Sequence, residues 1–269
     1  MTQLPTKPSF CIIAPTQYLE QYATRSHVHL VLAHLVDTCP EYAAFYRKMR
    51  DRGDYIICDN GAFELGESYN PERLIDLGTA CGAHAIVLPD YPFQHFTKTV
   101  AAAEEWKARI KDADFDTFFV PQSETGDLEG WIRSYEWAAG DPDIDIIGMS
   151  ILGIPNALPH IPAAYARVVM SQLIIDRNIR ADKYHHYLGL NAGPALEIPA
   201  LIKMGMLNSC DSSGPVWAAL LGHEYSRNTD SYQAVKKVKA HVDFNYPMVR
   251  DQATLDRITH NLDLTLELF

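Results

Sequence analysis

Four apolar runs of this chain each end on a carboxylate or an amide. Ile56-Ile57-Cys58 ends on Asp59, Ala85 to Pro89 on Asp90, Phe118 to Pro121 on Gln122, and Met206 to Cys210 on Asp211. If the runs are parallel strands, their C-terminal ends gather on one face, and in a (β/α)₈ barrel that face carries the active site. Asp59 and Asp211 at different strand ends allow a division of labour, one attacking as nucleophile or base and the other shuttling the proton of a leaving group. Three acids and an amide converging in this way point to an enzyme for a polar, ring-shaped substrate.

Asp90 and Gln122 suit recognition of such a ring. An ionised Asp accepts two N–H bonds side by side, and a Gln both donates and accepts. A guanine-like edge offers donors of that kind, with Phe63 or Tyr91 placed to stack on the ring. Gly148, Ser150, Leu188 and Gly189 follow two further runs, where small residues leave room for a planar ligand and expose backbone N–H groups. Each segment has a plainer alternative. Asp59-Asn60-Gly61 also makes a capped turn, Asp211-Ser212-Ser213 also makes a helix N-cap, and Asp90-Tyr91-Pro92 also makes an ordinary loop.

The elements that must hold these residues are legible in the alternation of patterns. Short apolar runs at 10–14, 28–33, 55–58, 84–88, 116–120, 144–148, 185–189 and 206–210 read as strands buried on both faces. Helical patterns at 37–51, 71–80, 94–112, 127–139, 160–178 and 195–204 fall between them, with Asn70 as an N-cap before Pro71. Alternation of this kind predicts a parallel sheet. Eight repeats predict closure into an α/β TIM barrel, with an open doubly wound sheet as runner-up. The reading is a single catalytic domain over 1–269, without a zinc subdomain. A helical extension is expected at about 240–269, its helix at roughly 250–266.

At 269 residues and 47% hydrophobic content the chain suits one such barrel. The net charge of −11 argues against a broad, sequence-independent grip on phosphates. Five cysteines at 11, 39, 58, 81 and 210 have no C-x-x-C spacing, so a reducing cytoplasm is expected rather than a disulfide framework. No run has the length of a membrane span. His27 and His29 share one strand face, but His34 falls on the other parity and no nearby acid completes a metal site. His185 and His186, neighbours on a strand, point oppositely. Neither a metal nor a cofactor is expected. Arg47, Lys48, Arg50 and Arg52 are read as complementing a helix C-terminus away from the site. Arg227, Lys236, Lys237, Lys239 and His241 follow strand eight, where they can rim the catalytic face.

These segments, in order, resemble those of the tRNA-guanine transglycosylase superfamily. Asp59-Asn60-Gly61-Ala62-Phe63-Glu64 is similar to its D-S-G-G-F-Q motif. Val87-Leu88-Pro89-Asp90 is similar to its base-reading segment, and Val120-Pro121-Gln122 to its V-Q-G motif. Ile147-Gly148-Met149-Ser150 resembles a glycine-rich segment, Tyr187-Leu188-Gly189-Leu190 resembles H-Y-L-M-G-V, and Gly205 to Asp211 resembles G-x-D-x-F-D. The resemblance implies a glycosyltransferase in which Asp211 attacks the sugar C1′, Asp59 is the acid/base, and Asp90, Gln122 and Gly189 hold the base. A 7-deazaguanine such as preQ0 or preQ1 would then replace guanine.

The chain departs from that pattern at Asn60, Ala62 and Glu64. It is one residue longer between Gly205 and Asp211, and it lacks the family's zinc site and arginine-rich stretch. A short, acidic member without zinc is most similar to the viral DNA-guanine transglycosylases, which implies DNA modification in a bacteriophage context and evasion of restriction. The implied partner is DNA, with tRNA as runner-up; no membrane partner is implied, and a homodimer is compatible with the chain. A nucleosidase or deoxyribosyltransferase acting on free nucleosides, and a non-catalytic purine-binding barrel, are the other readings.

Overall fold

The computed structural model describes residues 4–191, 193–228 and 242–269. Lys236, Lys237, Lys239 and His241 of the basic cluster lie outside them. Eight strands run in chain order: β1 (Ser9–Ile12), β2 (Val28–Val31), β3 (Tyr55–Cys58), β4 (Ala85–Val87), β5 (Asp116–Phe119), β6 (Ile146–Gly148), β7 (Tyr184–Tyr187) and β8 (Ser209–Ser212). They form one parallel sheet in the order β1-β8-β7-β6-β5-β4-β3-β2. The α/β barrel expected from the alternation is therefore the observed fold.

The strands are short, and nearly every residue in them is buried. That is why they read as continuous apolar runs rather than as alternations. Helices line the outside, among them α1 (Pro40–Arg52), α2 (Pro71–Cys81), α3 (Phe96–Asp112), α4 (Leu128–Gly140), α5 (Ala163–Asp176) and α6 (Pro194–Lys203). Their starts follow local chemistry: Asn70 accepts from the Glu72 N–H, and Asp127 accepts from the Gly130 N–H at 2.8 Å. The helices α7 (Gly214–Leu220) and α8 (Gln252–Leu266) follow β8, and Asn261 of α8 donates to Pro215 O and His223 O.

Strand eight begins later than its apolar run suggests. Met206 and Leu207 are buried ahead of the strand, and the ladder with β1 runs from Ser9↔Ser209 to Ile12↔Ser212. Asp211 is thus a member of β8 and not the residue after it. Burial marks the core, whereas backbone pairing marks the strand, and here the two are offset.

Between β1 and β2 no ladder runs, and the barrel closes there through a side chain. The Ser26 hydroxyl accepts from Ile12 N–H at 3.0 Å and donates to Phe10 O at 2.8 Å. A serine thereby satisfies two buried backbone groups that a neighbouring strand would otherwise pair. Inside the barrel, Gly148 leaves space that the Phe118 ring fills, since a Cβ on it would lie 2.5 Å from Phe118 Cε2. Gly148, expected to make room for a ligand, instead makes room for Phe118.

Ser26→Ala is expected to lower stability by about 1–3 kcal/mol, because it leaves Ile12 N–H and Phe10 O unpaired in the core. Urea unfolding of the variant against the parent chain measures this.

Candidate functional site

The C-terminal ends of β3, β4, β5, β7 and β8 bring Asp59, Asp90, Gln122, Gly189 and Asp211 to one mouth. Asp59 directly follows β3. Its Oδ2 accepts from Gly61 N–H at 3.1 Å, in a tight turn where Gly61 takes a φ of +79°. Burial of the carboxyl pushes its pKa up to about 7, against the Gly61 hydrogen bond, and the negative charges of Asp90 and Asp211 add to the rise. Asp59 is only partly withdrawn from solvent. The upward direction stands on that partial burial together with the facing carboxylates. Glu64, exposed on the short helix Ala62–Leu65, is also displaced upward, first by desolvation and then by the charge of Asp59.

Asp90 and Gln122 meet, and each engages the other. Gln122 Nε2 donates to Asp90 Oδ2 at 2.6 Å, and Asn60 Nδ2 donates to Asp90 Oδ1 at 2.7 Å and to Leu88 O at 2.9 Å. Burial raises the Asp90 pKa, and these two amide donors oppose the rise. Asn60 thus ties the β3 turn to the end of β4, a role its place in the turn did not reveal. Gln122 Oε1 is buried without a partner among the described residues.

Asp211 sits in a different setting. Its Oδ1 accepts from Gly189 N–H at 2.9 Å and lies 3.1 Å from His186 Nε2. His186 Nδ1 is 2.6 Å from the Ser209 hydroxyl. The pattern closes if Ser209 donates to Nδ1 and Nε2–H donates to the carboxylate. His185, one residue earlier, points outward to Tyr135 OH at 2.8 Å, so the two histidines take opposite faces as strand geometry requires. The alternation of His185 and His186 along the strand does not by itself say which of them faces the site. The signal that finds His186 is parity: it lies level with Ser209 on β8, two residues short of Asp211.

The other expected site residues have local roles. Ser150 Oγ accepts from Leu152 N–H and Gly153 N–H, both at 3.1 Å, and so shapes the loop after β6. Leu188 is half-buried beside it, and its carbonyl accepts from Ile151 N–H at 3.1 Å. Phe63 stands on the rim, 70% exposed, together with Leu65 and Phe93.

Away from the mouth, His27 and His29 do share a face, where both hydrogen-bond Asp54; among the described residues no group of His, Cys, Asp and Glu is arranged to hold a metal ion. Asp54 contacts His27 Nδ1 at 3.1 Å, His29 Nε2 at 2.9 Å and Arg52. Desolvation works to raise its pKa, but hydrogen bonds from His29, Arg52 and His27 outweigh it and hold the carboxyl at about 2. Arg50 donates to Ala83 O at 2.9 Å, and Arg47 donates to Ala80 O. These basic residues therefore bind carbonyls at the end of the neighbouring helix α2 rather than at the end of their own.

Compared with known proteins, the sequence matches no family model and no curated protein. Among solved structures it is similar to an HpcH/HpaI aldolase from Desulfitobacterium hafniense, with a TM-score of 0.51 and 11% identity over 80% of this chain and 88% of that one. It is also similar to the tryptophan synthase complex from Pyrococcus furiosus, with a TM-score of 0.49 and 10% identity over 98% of this chain and 100% of that one. An N-acetylneuraminate lyase from Mycoplasma synoviae gives a TM-score of 0.45 and 13% identity over 77% of this chain and 68% of that one. At such identities the likeness is one of fold.

The resemblance to tRNA-guanine transglycosylases is corrected here: no family model matches the sequence, and the solved structure that gives a TM-score of 0.51 is an HpcH/HpaI aldolase. With it go the glycosyltransferase assignment, exchange of guanine for a 7-deazaguanine such as preQ0 or preQ1, and the DNA and tRNA partners. The alternative of a nucleosidase or deoxyribosyltransferase falls with the same line. The motifs that carried the resemblance are short, and each is also what a parallel barrel needs at a strand end. Asp-Asn-Gly makes a tight turn after β3, and Gly148 admits a ring in the barrel interior. Among the described residues no helix is long and apolar enough to cross a membrane.

A raised carboxyl pKa means that the folded chain binds more protons than the unfolded one between the unfolded value near 4 and about 7, so stability falls as pH rises through that window. Asp59→Asn is expected to flatten that slope, by on the order of a few kcal/mol at most. Asp54 has the opposite sign, and its contribution is lost only as pH falls towards about 2. Chemical denaturation at intervals between pH 2 and pH 8 separates the two.

Proposed function

We propose that this chain is an enzyme that transfers protons on a small polar molecule at the barrel mouth, in a lyase- or isomerase-type reaction. Asp59 is the proton donor and Asp211 the acceptor. The observation that carries this reading is the unequal setting of two acids that share one mouth. The Asp59 carboxyl, with its pKa pushed to about 7, keeps its proton into the neutral range. The Asp211 carboxylate is oriented by Gly189 N–H and His186. Acid–base catalysis needs one group holding a proton and one placed to take it, and the different hydrogen-bond settings of the two carboxyls suit that division.

Asn60, Asp90 and Gln122 form a hydrogen-bonded polar cluster beside Asp59, in which Gln122 Oε1 is buried without a partner among the described residues. No described strand carries a lysine, so the reading uses carboxylates and not a lysine imine. Carbon–carbon cleavage, as in the name of the Desulfitobacterium hafniense aldolase, is one reaction of this broad class. A reducing, cytoplasmic setting is part of the reading, supported by five free cysteines, four of them buried.

The test follows solvent deuterium entering a panel of keto, hydroxy and amino acids by proton NMR. Turnover is expected to fall about 10²–10⁴-fold in Asp211→Asn. In the parent chain the rate should decline as pH rises through about 7, where Asp59 loses its proton. Turnover that survives both Asp211→Asn and Asp59→Asn overturns the reading.

A further inference from the structure

Behind the ends of β6 and β7 lies a buried ion pair whose hydrogen bonds do not reach the three acids of the mouth directly. Arg167 of α5 and Glu197 of α6 are 1% and 0% exposed. They form a bidentate pair, Nε to Oε1 at 2.8 Å and Nη2 to Oε2 at 2.6 Å. Such a pair alone is weak ground for a role, since apolar residues often replace one without loss.

The remaining side of the guanidinium makes this pair different. Nη1 donates to Leu188 O at 3.0 Å and to Met149 O at 3.3 Å. Leu188 O and Gly189 N–H belong to one peptide unit. In a trans peptide the C=O and N–H point in opposite directions, so this plane is held at both ends. Arg167 grips its carbonyl, and Asp211 takes its N–H at 2.9 Å. Gly189 then turns away with a φ of +76°, where a side chain is disfavoured.

We propose that Arg167 is a positioning residue for Asp211, acting through the Leu188–Gly189 peptide. Its charge on the carbonyl polarises the peptide and strengthens the N–H that meets the carboxylate, as linked hydrogen bonds do in a medium of low polarity. Its fork also fixes the plane, so the N–H is aimed before any substrate arrives. Glu197 holds the fork in register. The functional meaning of this linkage rests on the reading of Asp211 as the proton acceptor.

The test is a carbon-13 NMR titration of the Asp211 carboxyl in the full chain, with Asp211→Asn identifying the signal. The variant is Arg167→Met with Glu197→Met, which removes both charges and leaves neither buried alone. The expected result is a folded protein whose Asp211 midpoint rises by about 0.5 pH unit or more, a threefold or greater gain in proton affinity, because its donor is weaker. A folded double variant whose midpoint stays at the parent value overturns the proposal. Should that variant not fold, Arg167→Lys is used. Lysine offers its donors from one shorter-reaching point, where the guanidinium spreads three nitrogens over Glu197 and the Leu188 carbonyl, so the hold on that carbonyl weakens; the Asp211 midpoint should then rise and the Gly189 amide proton move upfield, and neither moving overturns the proposal. The titration needs no substrate. Its failure removes the role of Arg167 and leaves the acid–base reading standing, whereas failure of the deuterium assay leaves the linkage standing.

Discussion

Carboxylates repel one another, and a partly dry protein mouth screens that repulsion far less than water does. The C-terminal face of this barrel collects Asp59, Asp90 and Asp211, and its other polar groups are disposed around that charge. The structure answers it three ways. Asp59 takes up a proton readily, Asp90 is bracketed by the amides of Asn60 and Gln122, and Asp211 is met by Gly189 N–H and His186. Three like groups thereby acquire three unlike environments.

Those environments depend on the strands of the barrel being parallel. Because neighbouring parallel strands deliver their C-terminal ends to the same face, a turn after one strand can bond the end of the next, as Asn60 does to Leu88 O. The outer shell reaches the same place by a second route. Arg167 on α5 touches no residue of the acid cluster, yet it holds the peptide whose N–H meets Asp211. Rigidity in the helix layer is in this way transferred to the mouth through backbone hydrogen bonds.

The failed resemblance to transglycosylases teaches one lesson about motifs. Strand-end segments such as Val-Leu-Pro-Asp90 or Tyr-Leu-Gly189 are shaped first by the barrel, which demands apolar strands followed by turn-forming or small residues. A series of them in order is therefore a signature of the architecture. The chemistry depends on which side chains meet across strands, and short segments do not record that.

The sequence by itself determined the barrel. Continuous apolar runs alternating with capped helical patterns admit few other arrangements, and residues such as Asn70 and Asp127 start their helices through contacts a few residues long. It also placed Asp59, Asp90, Gln122 and Asp211 on one face, because position at a strand end is a local property. Only the tertiary structure decided that Gly148 admits the Phe118 ring, that Asp54 joins His27 and His29, and that His186 and Gly189 both serve Asp211. Each of these is a contact between residues 22 to 30 positions apart in the chain. Their pairing is set by barrel register and by the space left between strands, and no local pattern of residues encodes either one.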